Sequence, residues 1–397
     1  MRIELPREAE RFGSNLFYGV QKIYELDAGS SQDTEFSSPF HVVQKVPVEK
    51  IYEIESQMAI VIPIKNERLK LLEGVLCGIP HACLPIIVSN SIRQPTDRFR
   101  MEHNAVDNYC RFAKKRYVIA HQKDIHLACA FQKTNYESIL NEEGSIKSGK
   151  AEGMIVGILL AKHFGKKYIG FIDADNFFPG AVYEYIKIYS STLALASSEY
   201  AMMRILWHSK PKVIDSHLFF AKWGRVTRIS NYYINRLISL YTGFETDVIK
   251  TGNAGEHAMT TDLAIRLEYS AGFSIETYHF INLIEQFGGV LESKYPEVMQ
   301  KSVEIYQVES RNPHLHEVKD GDHIKEMIES SLSVIFHSAM SPTELKKEVL
   351  RELRKLKIID KDKEPIQPTK YKALNLIDIE KFFKEIDLKK YCNFSIH

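Results

Sequence analysis

Two hydrophobic rhythms alternate along the first half of the chain. Met58-Ala59-Ile60-Val61-Ile62-Pro63-Ile64 is an unbroken apolar run, the pattern of a strand buried on both faces. It passes directly into Lys65-Asn66-Glu67-Arg68 and a stretch with Leu69, Leu72 and Leu76 on one helical face. The alternation then repeats. A strand at Leu84-Pro85-Ile86-Ile87-Val88 ends in Ser89-Asn90-Ser91. A helix over roughly 98–114, a strand at Tyr117–Ala120, a helical stretch near 125–139 and a helix from Lys150 to about His163 lead to a strand over 168–172. Strands separated by helices in this way predict βαβ units, an α/β fold with a mixed, mostly parallel sheet flanked by helices.

Beyond Asp175 the rhythm is less regular. Ala201–Trp207 reads as a strand, Ile229–Tyr241 as an aromatic-rich helix, about Met259 to Tyr269 as a helix, Ile275–Tyr278 as a short strand and Val303–Val308 as a strand. An exposed aromatic helix over Asn231–Tyr241 would suit a homodimer interface. Residues 1–55 mix Gly, Ser and charge around Phe12, Leu16, Phe17 and Tyr18, and read as an N-terminal arm laid over the core. The pattern sets boundaries at 56–210 and 211–340, followed by a Lys/Glu-rich, helical C-terminal extension, 341–397, with a linker at Lys361-Asp362-Lys363-Glu364-Pro365.

Composition narrows the class. Lys+Arg of 52 against Asp+Glu of 51 leaves a net charge of +1, which argues against a nucleic-acid partner on bulk electrostatics. The five cysteines, Cys77, Cys83, Cys110, Cys129 and Cys392, are scattered without a C-x-x-C, as expected of reduced thiols in a cytoplasmic protein. Charged residues at the N-terminus and the absence of an apolar h-region predict no secretory signal, and the apolar stretch around Met154–Ala161 is too short to span a bilayer, so no membrane partner is expected. Abundant Lys, Glu and Ile fit a thermophilic source.

The chemistry is concentrated where the strand Tyr168–Ile172 runs into Asp173-Ala174-Asp175-Asn176. In open α/β sheets ligands bind outside the carboxyl ends of the strands. Residues i and i+2 of an extended chain point to the same side. The two carboxylates can therefore face one hard cation, which in the case of Mg²⁺ is completed by substrate phosphates. The competing explanation is an N-cap or solvated turn before Pro179, which can open the next helix at its first position. Gly144-Ser145-Ile146-Lys147-Ser148-Gly149-Lys150-Ala151 almost spells a P-loop, but Ala151 lacks the hydroxyl that binds Mg²⁺. What remains is Gly149 and Lys150 at a helix N-terminus, suited to a phosphate or simply to capping. A phosphoaspartyl phosphatase is set aside because Phe177 stands where Thr or Val belongs and at least three strands precede the motif. Gly252-Asn253-Ala254-Gly255 ahead of a helix is either an anion nest or a flexible turn. Arg225 and Arg228 could pair with a carboxylate or phosphate. His314 and His316, after a strand end, are candidate metal ligands.

Taken together these segments resemble a GT-A glycosyltransferase: the strand Ile60–Ile64 with Pro63, Lys65 and Glu67, the Gly149-Lys150 loop, the Asp-x-Asp pair and a distal His. More closely, Asp173–Asn176, Thr251-Gly252-Asn253-Ala254-Gly255-Glu256-His257 and Arg311-Asn312-Pro313-His314-Leu315-His316 resemble the mannosyl-3-phosphoglycerate synthase family, over essentially the whole chain. That resemblance implies a Rossmann-like nucleotide-diphospho-sugar transferase fold. It implies retaining transfer of mannose from GDP-mannose to 3-phosphoglycerate, a step toward the compatible solute mannosylglycerate. Residues 56–210 would be the donor-binding half and 211–340 the acceptor-binding half. Pro63, Lys65 and Glu67 would contact guanosine, with Asn90 beside the ribose. Lys150 would lie near the nucleotide or sugar, with Asp173 and Ala174 on the donor. Asp175 and His314, or less favourably His316, would hold a divalent metal, Mg²⁺ foremost, with Mn²⁺ or Co²⁺ as alternatives. Thr251, Gly252, Asn253 and Ala254, with Arg225, would hold the acceptor. Asp173 and Asp175 would be the catalytic pair. The chain departs from many GT-A enzymes in carrying Ser89-Asn90-Ser91 where an acidic pair is usual. Two rivals stay open: a sugar-nucleotide nucleotidyltransferase, and a non-catalytic nucleotide-sugar-binding protein.

Overall fold

The computed structural model describes residues 1–26, 43–176, 178–214, 217–221, 224–315, 321–387 and 391; Phe177, Trp223, His316 and Cys392 lie outside them. In chain order the N-terminal strands are β1 (Arg2–Glu4), β2 (Ala9–Phe12), β3 (Asn15–Glu25) and β4 (Val43–Lys45). Then come α1 (Val48–Ser56), β5 (Met58–Ile64), α2 (Leu69–Gly78), β6 (Leu84–Ser89), α3 (Arg98–Phe112), β7 (Val118–His121), α4 (Ile125–Lys133), α5 (Lys150–His163) and β8 (Tyr168–Phe171). This is the expected strand–helix alternation, and β5 and α5 have the bounds the pattern implies. The second half holds α6 (Pro179–Leu195), β9 (Tyr200–Leu206), the hairpin β10 (Lys210–Ile214) and β11 (His217–Ala221), α7 (Arg225–Thr242), β12 (His257–Thr260), α8 (Thr261–Ala264), β13 (Tyr269–Ser270) and α9 (Ile275–Phe287). It closes with α10 (Pro296–Met299), β14 (Val303–Glu309), α11 (Gly321–Phe336), α12 (Thr343–Lys355), β15 (Lys370–Tyr371) and α13 (Ile379–Lys384).

One mixed sheet organises these elements, in the order β4-β1-β3-β14-β9-β12-β8-β5-β6-β7, with β2 added to β3. Pairing is parallel through β8-β5-β6-β7 and through β9-β14-β3. The exception in this stretch is β12, which lies antiparallel between β8 and β9. Along β5 the side chains alternate between two cores. Ala59 and Val61 join the layer containing α5 and α9, while Met58, Ile60, Ile62 and Ile64 join the layer containing α2 and α6. Helix α5 is buried from Ala151 to Ala161, as befits a helix apolar on all sides. Its Gly157 lets it approach the sheet, because a Cβ there would lie 2.3 Å from Val61 Cγ1.

Local chemistry sets several helix starts. Pro179 occupies the first turn of α6, where no N–H is needed. Asp97 caps α3 by accepting the Arg100 N–H at 3.0 Å, and Asp124 caps α4 by accepting that of His126 at 2.8 Å. The described cysteines Cys77, Cys83, Cys110 and Cys129 are free thiols. Among the described residues no helix is long and apolar enough to cross a membrane.

Four expectations are corrected. Ile275–Tyr278, read as a strand, is the first turn of α9; Ile275, Thr277 and Tyr278 are residue types that suit a strand, but four residues carry no decisive period, and here they open a helix buried along its length. The helix expected over about Met259–Tyr269 is the strand β12 followed by the single turn α8, because Met259 pairs with both Ile169 and Met202. Residues 1–25 are not an arm over the core: β3 pairs in parallel with β14 and belongs to the sheet. The aromatic face of α7 is in large part taken by the C-terminal extension, with Tyr233 Oη donating to the Glu348 carbonyl at 3.2 Å and Arg236 paired with Glu344 and Glu348; Tyr232 alone of this pair of tyrosines stays well exposed.

Gly157→Ala forces a methyl group into Val61, and it should destabilise the fold by about 1–3 kcal/mol, the usual cost of overpacking. The midpoint of denaturant unfolding, compared with wild type, measures it; an unchanged midpoint would mean that α5 and β5 can separate freely.

Candidate active site

Loops leaving the carboxyl ends of β5, β6 and β8 meet at one edge of the sheet, the place the topology reserves for a ligand. The first two are tied to each other. Asn90 N–H donates to Ile64 O at 2.8 Å, Asn66 N–H to Ser91 Oγ at 2.7 Å and Ile92 N–H to Asn66 Oδ1 at 3.0 Å. Asn66 takes a left-handed conformation, φ 61°, which this short polar side chain tolerates. Arg98 holds the first loop by donating to the Glu67 carbonyl at 2.6 Å. Lys65 is exposed, Pro63 and Glu67 half-buried.

The acidic pair missing after β6 has a counterpart from elsewhere. Glu102 of α3, fully buried, accepts from Ser89 Oγ and from Ser91 Oγ, each at 2.6 Å. Burial raises its carboxyl above the usual range, against these two hydroxyls. Both serine hydroxyls are therefore occupied beneath the loop, and only Asn90 of the three keeps a partly open side chain.

At the end of β8, Asp173 and Asp175 are in place, but they differ. Lys150 opens α5 as expected; its Nζ lies 2.6 Å from Asp173 Oδ1 and 2.7 Å from Glu276 Oε1. The ammonium expected to meet a phosphate is thus shared by two carboxylates, and their charges hold it above its ordinary range despite burial. Gly255 permits the packing: a Cβ on it would sit 2.5 Å from Asp173 Oδ2. Ala174 and Asp175 are buried, Asp175 at 8% exposure.

Glu256 is the residue sequence reasoning missed most plainly. It lies inside the quoted Gly252–His257 segment, but only the antiparallel placement of β12 brings it against the Asp-x-Asp turn. It is fully buried, accepts from Asn176 Nδ2 at 2.9 Å and from Trp207 Nε1 at 3.1 Å, and Asn176 Nδ2 also donates to the Asp173 carbonyl at 2.8 Å. Burial, with Asp173 beside it, pushes the carboxyl up to about 7. The Trp207 ring stacks on His314 at 4.3 Å between centroids, and the His314 N–H donates to Ser209 O at 2.9 Å. His314 is buried, beside a cavity of about 700 Å³ lined by Lys22, His208, Ser209, Phe220, Glu309 and Pro313. The Asp-x-Asp turn and the distal His thus share one intermediary.

Among the described residues no three His, Cys, Asp or Glu side chains form a metal-binding cluster. Asp175 and His314 are a carboxylate and an imidazole flanking the same Glu256–Trp207 unit. That donor set fits a cation completed by diphosphate oxygens rather than one enclosed by protein. His316 lies outside the described residues.

The turn Thr251–Ala254 is less open than an anion nest. Gly252 N–H donates to Asn231 Oδ1 at 2.7 Å and Ala254 N–H to Thr251 O at 3.1 Å. Thr251 Oγ1 donates to Gln307 Oε1 at 2.9 Å, and Asn253 Nδ2 to Ser331 Oγ at 2.7 Å. Behind the turn, Arg204 of β9 is fully buried and donates to the carbonyls of Thr251 at 3.0 Å, Ala254 at 3.4 Å and Glu276 at 3.1 Å. Burial lowers this guanidinium to about 9. A lone Arg inside the apolar run Ala201–Trp207, and a lone Glu inside Phe273–Tyr278, were the signals for Arg204 and Glu276. Arg225 opens α7; its side chain is outside what the structure describes.

Comparison with known proteins bears on the chain as a whole. The family model described as mannosyl-3-phosphoglycerate synthase matches residues 5–386. A mannosyl-3-phosphoglycerate synthase of Pyrococcus furiosus is 44% identical over 388 residues, covering 98% of this chain and 97% of the relative. One from Aeropyrum pernix is 35% identical over 373 residues, 94% of each chain. Among solved structures, glucosyl-3-phosphoglycerate synthase from Mycobacterium tuberculosis in complex with uridine-diphosphate aligns with a TM-score of 0.49 at 14% identity, covering 82% of this chain and 95% of that one. With residues 5–386 matched by the model and at least 94% of the chain by each relative, the chain belongs to the mannosyl-3-phosphoglycerate synthase family.

Proposed function

We propose that this chain is a retaining hexosyltransferase that moves mannose from GDP-mannose to the hydroxyl of 3-phosphoglycerate, releasing GDP, with a divalent cation, Mg²⁺ by preference and Mn²⁺ or Co²⁺ in its place. The observation that carries this reading is the family match across residues 5–386. The edge formed by Pro63, Lys65, Glu67 and Asn90 receives the guanosine. Asp175 and His314 hold the cation. When bound, the cation supplies positive charge where the departing diphosphate becomes more negative. Asp173, held by its ion pair with Lys150, is left to orient the donor sugar, which divides the labour of the pair.

On the acceptor side the amides of Gly252 and Ala254 are already engaged, so the turn forms a wall rather than a cradle. Positive charge for the anionic acceptor comes instead from Arg225 and the N-terminus of α7, with buried Arg204 behind the turn. Glu256 has its two oxygens directed at Asn176 and Trp207. It is a brace, not a nucleophile. The leaving diphosphate oxygen takes the proton of the incoming hydroxyl on the same face of the sugar, and no covalent mannosyl-enzyme forms.

Incubating the enzyme with GDP-mannose and Mg²⁺ should release GDP only when 3-phosphoglycerate is present. Release of pyrophosphate from GTP and mannose 1-phosphate would instead favour a nucleotidyltransferase. Asp175→Ala should lower kcat by at least about a thousandfold, the loss of several kcal/mol of charge stabilisation; full activity in that variant would remove the carboxylate from the mechanism.

Glu256 also makes stability depend on pH. Its folded pKa of about 7 lies above the usual 4.5, so the folded state binds an extra proton between those values. The stability this proton contributes is complete below pH 4.5 and gone above about 7. In EDTA, wild type should therefore gain stability relative to Glu256→Gln as pH falls through that window. Parallel melting curves for the two proteins would contradict the assignment.

A further inference from the structure

The loop that carries His314 is not held by its own strand alone. Ser310 N–H donates to Leu206 O at 2.9 Å and Ser310 Oγ to Asn312 O at 3.0 Å, which anchors the start of the loop to the end of β9. The next two residues turn to a different element. Arg311 N–H donates to Glu184 Oε1 at 2.6 Å, Asn312 N–H to Glu184 Oε2 at 2.9 Å, and Asn312 Nδ2 to the same Oε2 at 2.5 Å. Glu184 is fully buried in α6, the helix that starts at Pro179 immediately after the Asp-x-Asp turn. A carboxylate accepting several N–H bonds makes short, charge-assisted contacts, and leaving it buried without them would be costly.

We propose that Glu184 is a positioning residue for the cation site: it locks the Arg311-Asn312 backbone to the helix that follows Asp175, and so fixes His314 relative to that carboxylate. This rests on the reading of Asp175 and His314 as cation ligands. Two chain segments far apart in sequence must present one ligand each. A cation that draws its remaining ligands from substrate and water has few protein bonds to correct an error in their spacing. The Trp207 stack sets the plane of the imidazole, and the Glu184 bracket sets the position of the backbone that bears it. Glu184 is suited to this because it accepts from two consecutive backbone N–H groups and a side-chain amide, an arrangement a neutral amide cannot reproduce. In Glu184→Gln one acceptor oxygen becomes an NH₂ that faces at least one N–H donor in either orientation of the amide.

Mn²⁺ binding to the full chain, measured by the electron paramagnetic resonance of free Mn²⁺ at saturating GDP, tests this without turnover. Glu184→Gln should weaken Mn²⁺ by at least about tenfold, the usual scale for losing a supporting partner of a metal ligand. GDP affinity in EDTA should stay within about twofold, and Glu184→Asp should recover part of the loss. If Glu184→Gln does not fold, Asn312→Ala removes only the amide arm and should weaken Mn²⁺ in the same direction. His314→Ala separates the two layers of the argument. Unchanged Mn²⁺ affinity in that variant overturns the ligand reading and the bracket with it. Weakened affinity in His314→Ala beside wild-type affinity in Glu184→Gln, or in Asn312→Ala where that variant stands in, overturns the bracket alone.

Discussion

Everything at this site is arranged around one ammonium. Lys150 sits between Asp173 and Glu276, within 2.7 Å of each, and its charge also bears on Glu256. Without it, carboxylates from β8, β12 and α9 would face one another in a space largely closed to water, and none could stay ionised cheaply. The sequence provides for this ion pair at a distance. Gly149 starts α5 at the right level, the apolar girth of that helix sinks it into the core, Gly157 brings it against β5, and Gly255 clears room for Asp173. The packing of a whole helix thus serves the placement of a single nitrogen.

A division of labour among acidic groups follows. Asp173 is balanced by the lysine. Glu256 and Glu184 accept N–H bonds and brace the two segments that converge on the site. Glu102 does the same for the loop after β6, through Ser89 and Ser91. The polar frame around the ligand edge is therefore built largely from buried carboxylates.

Legibility in the sequence tracked how local each cause was. β5, α5 and the start of α6 at Pro179 could be read because their signals, a continuous apolar run, an all-round apolar helix and a proline, act within a few residues. The Asp-x-Asp turn was legible for the same reason. Ile275–Tyr278 misled because β-branched and aromatic residues over so short a stretch favour a strand, while the period that would reveal the helix needs the residues that follow. β12 was missed because its antiparallel insertion between β8 and β9 is a property of distant pairing, and Glu256 went with it. Gly252–Ala254 looked like an open nest because the side chains that fill it, Asn231, Gln307 and Ser331, come from three other elements. Glu184 was invisible for the same reason.

The pairing of β3 with β14 has a kinetic side. Asn15 meets Val303, so the strand made almost first finds its partner only when most of the chain exists. Until then β3 presents an unsatisfied edge, and the loop that must close spans most of the polypeptide. The β5–β8 layer can assemble as it is synthesised, whereas the seam at β3-β14-β9 cannot. The His314 loop departs from that seam, so the candidate site cannot be complete before this long-range pairing is made.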